Sequence, residues 1–187
     1  MSAAAVSAAR VRRATAADLD ALGRLGAALA RQHAGYDARR FVLPEGSVET
    51  AFATYFAARL ADGAATLLVA DVGEGTADGR AVGYAFARLE PPSFVDALPA
   101  SGWIHDLYVG PSARGHGAGA ALLDAAVEAL LDAGAPLVML AVAPANAAAQ
   151  RLFAGRGFVV TMSEMTRRAD APTGRVGDDV RPPRPGT

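Results

Sequence analysis

Leucines at 19, 22, 25 and 29 recur at the spacing of one helical face. Before them stands Thr15-Ala-Ala-Asp18, a cap whose hydroxyl and carboxylate suit the unpaired N–H groups of a first turn. The pattern predicts a short strand over 10–14 and a helix from the cap to about Gln32. Residues 33–46, with Gly35, Pro44 and Gly46, read as a loop. Ser47 then caps a second helix over 48–61, with Phe52, Tyr55, Phe56 and Leu60 on one side.

The period changes after that. Residues 66–71 (TLLVAD) form a buried strand, 73–79 a turn, and 81–89 the returning strand of an antiparallel hairpin. A loop over 91–101 carries Phe94 and Leu98, whose exposure the pattern leaves open. Next come a strand over 103–109 and a helix over 115–133, with Leu123, Val127, Leu130 and Leu131 on the buried stripe. A strand over 137–142, a helix over 146–155 and a last strand over 158–166 complete the order. Residues 169–187, rich in Pro, Gly, Arg and Asp, read as a disordered tail, and 1–9 as a flexible N-terminus. The remaining 10–168 make one domain. An antiparallel meander followed by crossovers predicts an α/β fold of α+β character: a mixed, mostly antiparallel central sheet with helices on both faces.

Composition removes several kinds of chemistry. The 187 residues are 52% hydrophobic and 20% charged, enough apolar material for a core, and the net charge of -1 offers no field for nucleic acid or membrane. All the basic residues are Arg, so lysine Schiff-base chemistry and a P-loop lysine are excluded. Without Cys there is no disulfide, thiolate metal site or thiol nucleophile. The longest uncharged stretch, 133–150, is broken by Gly134, Pro136 and Pro144 and does not span a membrane. A soluble cytoplasmic protein is expected.

The candidate chemistry lies in Leu107-Tyr-Val-Gly-Pro-Ser-Ala-Arg-Gly-His-Gly-Ala-Gly119, where a strand turns into a helix. A helix start presents unpaired N–H groups and partial positive charge, which stabilise an anion. Glycines at 115, 117 and 119 remove the Cβ atoms that would hold a phosphate off that backbone, and Arg114 can offset its charge. A Walker loop needs Lys. The dinucleotide pattern Gly115-x-Gly117-x-x-Ala120 is formally present, but five residues separate it from its strand and the strand over 137–142 ends in no ribose-binding acid. A tight turn without ligand is the plain alternative.

Arg114-Gly-His-Gly117-Ala-Gly119 resembles the signature of the GNAT superfamily of N-acetyltransferases. The segment from Asn146 through Ala149, Leu152, Phe153 and Gly157 to Phe158 resembles a second motif of that family, and Arg12 to Asp18 its common opening. The likeness covers about residues 10–168. It implies acetyl-coenzyme A as co-substrate, with its pyrophosphate on the N–H groups of Arg114, Gly115, His116, Gly117, Ala118 and Gly119. Its pantetheine would run beside the strand ending at Val109, where two strands splay. Asn146 and Phe153 are further cofactor contacts.

The resemblance also implies direct attack by a primary amine, carried by a small molecule or a protein, in a ternary complex. A backbone N–H near Leu107 would hold the oxyanion. The base position, nine residues before the signature Arg, is His105, whose imidazole suits proton transfer near neutrality but which also reads as a hydrogen-bonded packing residue. Asp106 and Glu90 are alternatives, with strand alternation expected to send Asp106 to the opposite face from His105. Phe153 stands where the family has a Tyr that protonates the thiolate. Water, another group such as Tyr108, or unassisted departure must replace it, or turnover is lost and the domain only senses acyl-coenzyme A. His33, Tyr36, Asp37 and Phe94 are candidate acceptor contacts, and a homodimer is the assembly to test for.

Overall fold

The computed structural model describes residues 9–71 and 81–169. The expected flexible 1–9, turn over 73–79 and disordered tail over 169–187 lie wholly or almost wholly outside them. Five strands form one sheet in the order β1-β2-β3-β4-β5: β1 (Arg10–Arg13), β2 (Ala65–Asp71), β3 (Ala81–Glu90), β4 (Ser101–Val109) and β5 (Val138–Leu140). The first four pair antiparallel and only β4 with β5 is parallel. The predicted mixed, mostly antiparallel sheet is the one found.

Both faces of the sheet are apolar, and each is covered by helices. Helices α1 (Leu19–Tyr36) and α2 (Val48–Leu60) lie on one face, where Leu22, Leu29 and Phe56 pack against Leu67, Val69, Tyr84, Phe86 and Tyr108. These two helices approach closely because Gly23 and Gly26 carry no Cβ; one built on Gly26 would stand 2.6 Å from the Phe52 ring. Helices α3 (Ala118–Asp132) and α4 (Ala147–Ala154) belong to the other face, with Leu122, Leu123, Ala126, Leu130 and Phe153 against Leu68, Ala85 and Ile104. Burying a leucine-sized side chain in either layer contributes about 1.5–3 kcal/mol.

The opening motif serves the fold. Asp18 is fully buried and accepts from both Arg12 guanidinium ends at 2.7 and 2.8 Å and from the Thr15 N–H at 2.8 Å. Arg12 Nε donates to Asp71 at 2.7 Å, so one guanidinium ties β1, β2 and the start of α1 together. The Arg12 bonds hold the Asp18 carboxyl below its usual range.

Several boundaries differ from those the pattern predicts. The first helix runs a turn further, to Tyr36. The 115–133 helix begins only at Ala118, because Gly115 and Gly117 take left-handed φ values of 82° and 83° that a right-handed helix cannot contain. Leu131 is 52% exposed. The stripe is instead Leu122, Leu123, Ala126 and Leu130, and Leu131 lies one helical step of 100° beyond it. The strand over 137–142 shrinks to three residues, and the one expected over 158–166 does not form. Val159, Val160, Met162 and Met165 there are exposed. Strand propensity without a ladder partner makes no hydrogen bonds, and this stretch is held by side chains instead, Arg40 Nη2 reaching Glu164 at 2.9 Å.

Candidate active site

The parallel pairing of β4 with β5 covers only Gly102, Trp103 and Ile104. Beyond Ile104, β4 continues to Val109 still paired with β3 but with no recorded partner on its other side among the described residues. The two strands part there, as the resemblance implied. Backbone alternation fixes what faces the gap. Gly110 donates its N–H to Val82 of β3 at 2.8 Å, so Leu107 and Val109 direct their N–H and C=O groups to the open side. The Val109 carbonyl accepts from Arg114 Nε at 2.9 Å. The N–H of Leu107 points into the gap.

At the far end of this edge, Pro111–Ala113 form a short 3-10 turn and the chain passes through Arg114 to the left-handed glycines. Among the described residues no side chain caps α3, and its first helical bond is from Ala121 N–H to the Gly117 carbonyl at 3.0 Å. The N–H groups before Ala121 therefore form a free helix start. A Cβ on Gly115 or Gly117 would meet nothing within 4 Å. Open space over bare amides fits a diphosphate. His116 is exposed, while Ala118 is buried and anchors the turn to the core. Gly119 packs near Val109 and Leu152. Arg114 is committed elsewhere: besides Val109 it donates to Gln32 Oε1 at 3.0 Å, and its guanidinium lies over the Tyr108 ring.

The pairing of β3 with β4 is irregular at one point: Phe86 faces Asp106 but Ala87 faces Ile104, leaving His105 as a bulged residue. This corrects the expectation that His105 and Asp106 lie on opposite faces. The bulge breaks the two-residue period. The His105 ring stacks on Phe86 with centroids 5.1 Å apart and lies 6.3 Å from Trp103. Asp106 Oδ2 accepts from the Tyr84 hydroxyl at 3.2 Å. Phe86 and Tyr84 both face α1 and α2, so His105 and Asp106 do too. The imidazole is exposed, not buried, and its Nε2 is 3.0 Å from Glu90 Oε1. Burial raises the Asp106 carboxyl above its usual range, partly countered by the Tyr84 bond.

Other expected contacts divide. Asn146 caps α4, its Oδ1 accepting from Ala149 N–H at 3.2 Å. Phe153 is buried in the α3 core against Phe158, and Tyr108 is buried beneath Arg114. Tyr36 accepts from Gln32, Asp37 ends α1 and accepts from Arg39 N–H, and Phe94 stands 98% exposed in solvent. His33 does reach a site. With Leu29, Ala30, Phe41, Phe52 and Asp106 it lines a cavity of about 280 Å³, its ring tilted against Phe41 with centroids 4.9 Å apart. Phe41 and Asp106 lie 65 positions apart and share no periodicity, so sequence patterning gave no sign of this cavity. Among the described residues no helix is long and apolar enough to cross a membrane.

The family model described as acetyltransferase (GNAT) family matches residues 33–158. Among solved structures, the chain is similar to a mutant protein of Bacillus halodurans with TM-score 0.70 and 20% identity, covering 85% of this chain and 98% of the other. A GCN5-related N-acetyltransferase from Ralstonia eutropha gives 0.62 and 26%, covering 86% and 99%. An integron cassette protein from the mobile metagenome of Cole Harbour Salt Marsh gives 0.61 and 27%, covering 87% and 91%. No curated protein sequence matches. The matched span holds the parted strands, the bulge and the glycine turn together, and the chain belongs to the GNAT family of acetyltransferases.

Proposed function

We propose that this chain transfers an acetyl group from acetyl-coenzyme A to a primary amine, with both substrates bound at once. The observation that carries the reading is the continuity of one feature. The open edge of β4 beyond Ile104 leads straight to the unpaired helix start at Gly115–Ala118. A long carrier with a diphosphate at one end and a thioester at the other matches that combination. The amides of residues 114–119 would hold the diphosphate, and the Leu107 and Val109 edge the arm. The acetyl thioester supplies the activated carbonyl.

This chain's own residues do the rest. Glu90 receives the Nε2–H of His105, which leaves Nδ1 with the lone pair. The acceptor ammonium gives one proton to His105, and the neutral amine then has a lone pair for attack. Leu107 N–H, directed into the gap, stabilises the negative charge that develops on the carbonyl oxygen. Phe153 has no proton to give and Tyr108 is packed away, so as the C–N bond forms and the C–S bond breaks, the nitrogen's second proton leaves to solvent and the thiolate takes one back from solvent. That departure is tolerable for a thiol with an ordinary pKa of ~8.5.

The missing phenol also favours a second reading, a domain that binds acyl-coenzyme A without turnover. Two measurements separate them: thermal stabilisation by acetyl-coenzyme A, and thiol release on adding amines. Stabilisation with release supports transfer; stabilisation without release across an amine panel supports the sensor. His105→Ala is expected to lower kcat about 10²–10⁴-fold with acetyl-coenzyme A affinity unchanged. An unaltered rate across pH removes His105 from the mechanism.

A further inference from the structure

Taking acetyl transfer to an amine as given, the cavity beneath the 37–46 loop bears on which amine is used. Its walls are Leu29, Ala30, Phe41 and Phe52, with the His33 ring tilted against Phe41. Burial lowers the His33 pKa, which keeps that ring neutral at neutral pH. Arg40 also touches the cavity, but both its terminal nitrogens are engaged by the Glu164 carboxylate. Asp106 is the one carboxylate among the lining residues. Its Oδ2 is bonded by Tyr84, and Oδ1 has no recorded hydrogen bond among the described residues.

The inventory is therefore one open carboxylate oxygen, apolar and aromatic walls, and no uncommitted cation. The β4 bulge puts His105 next in the chain to that carboxylate and on the same face. We infer that this cavity takes the acceptor, and that it selects a primary monoamine on an aromatic or other apolar body, with Asp106 anchoring the ammonium. A polyamine would press a second ammonium against Leu29 or Phe41 with nothing to pair it, a costly desolvation. An amino acid would bring its carboxylate to a cavity whose only arginine is already bound. At about 280 Å³ the space is at the small end for ligand sites, which favours a compact molecule.

The test uses the full chain with saturating acetyl-coenzyme A and follows thiol release with 2-phenylethylamine, spermidine, phenylalanine and a lysine peptide. 2-Phenylethylamine is expected to show kcat/KM at least about tenfold above the others, a transition-state difference of about 1.4 kcal/mol. Asp106→Asn should raise its KM about tenfold or more and leave the KM for acetyl-coenzyme A unchanged. Ala30→Phe, which narrows the cavity without touching the carboxylate, should erase the preference for the aromatic amine. Preferred turnover of spermidine, phenylalanine or the peptide overturns this inference and leaves acetyl transfer standing, as does an Asp106→Asn variant with unchanged amine KM. Stabilisation by acetyl-coenzyme A without thiol release from any amine overturns both.

Discussion

Adding one methyl group at Gly117 and the same group at Gly119 should change stability in opposite directions. Gly117 has φ 83° and a Cβ there would meet nothing within 4 Å, so the only obstacle is the backbone conformation. An L-residue held left-handed is penalised by about 1–2 kcal/mol, and the reduced freedom of the unfolded chain returns about 0.4–1. The net expectation for Gly117→Ala is a loss of about 1 kcal/mol. Gly119 lies inside α3, where a Cβ would sit 3.6 Å from Leu152 and 3.7 Å from Val109, ordinary contact distances. There Gly119→Ala gains about 0.5–1 kcal/mol of helix propensity. For a domain of this length each kcal/mol moves Tm by roughly 2–4 °C. Thermal and urea unfolding of the two variants beside the parent should therefore bracket it. A Gly117→Ala protein as stable as the parent would refute the left-handed turn, and with it the account of why α3 begins at Ala118.

Two more expectations follow from carboxyls whose pKa values are shifted in opposite directions. Asp18 has a depressed pKa through Arg12, so its contribution is present above the unfolded value of ~3.9 and is lost as pH falls through the folded value. Asp18→Asn should remove that acid-side loss, and Arg12→Ala, which strands a buried charge, should cost about 3–5 kcal/mol; unfolding titrated from pH 7 down to pH 2 reads both. Asp106 is raised by burial, so its stability contribution is full below the unfolded value and declines as pH climbs through the folded one. Asp106→Asn keeps an acceptor for Tyr84 and should match or exceed the parent's Tm at pH 7. A lower Tm there would mean that the charge itself holds the fold.

Much of this molecule was legible in local pattern. Leucine spacing marked α1 and the hydrophobic strands marked β2 and β3, because these signals depend on neighbours a few residues away. Arg114, Gly117, Asn146 and Phe158 were enough for the family likeness. The acceptor cavity was not legible: its loop, helix and strand residues meet only once the sheet has formed. Nor was the missing last strand, since a stretch like 158–166 is a strand only if some other strand offers it an open ladder.

Local pattern alone settled most element types, the two-faced sheet and a glycine turn suited to an anion. The direction of the chemistry came from strand pairing. Pairing with β3 inserted His105 as an extra residue and so turned it and Asp106 toward the same helices, and the early end of β5 left Leu107 N–H without a partner among the described residues. Which residues share a face is set by register between strands far apart in the chain, and that register is a property of pairs, which no single stretch of sequence contains.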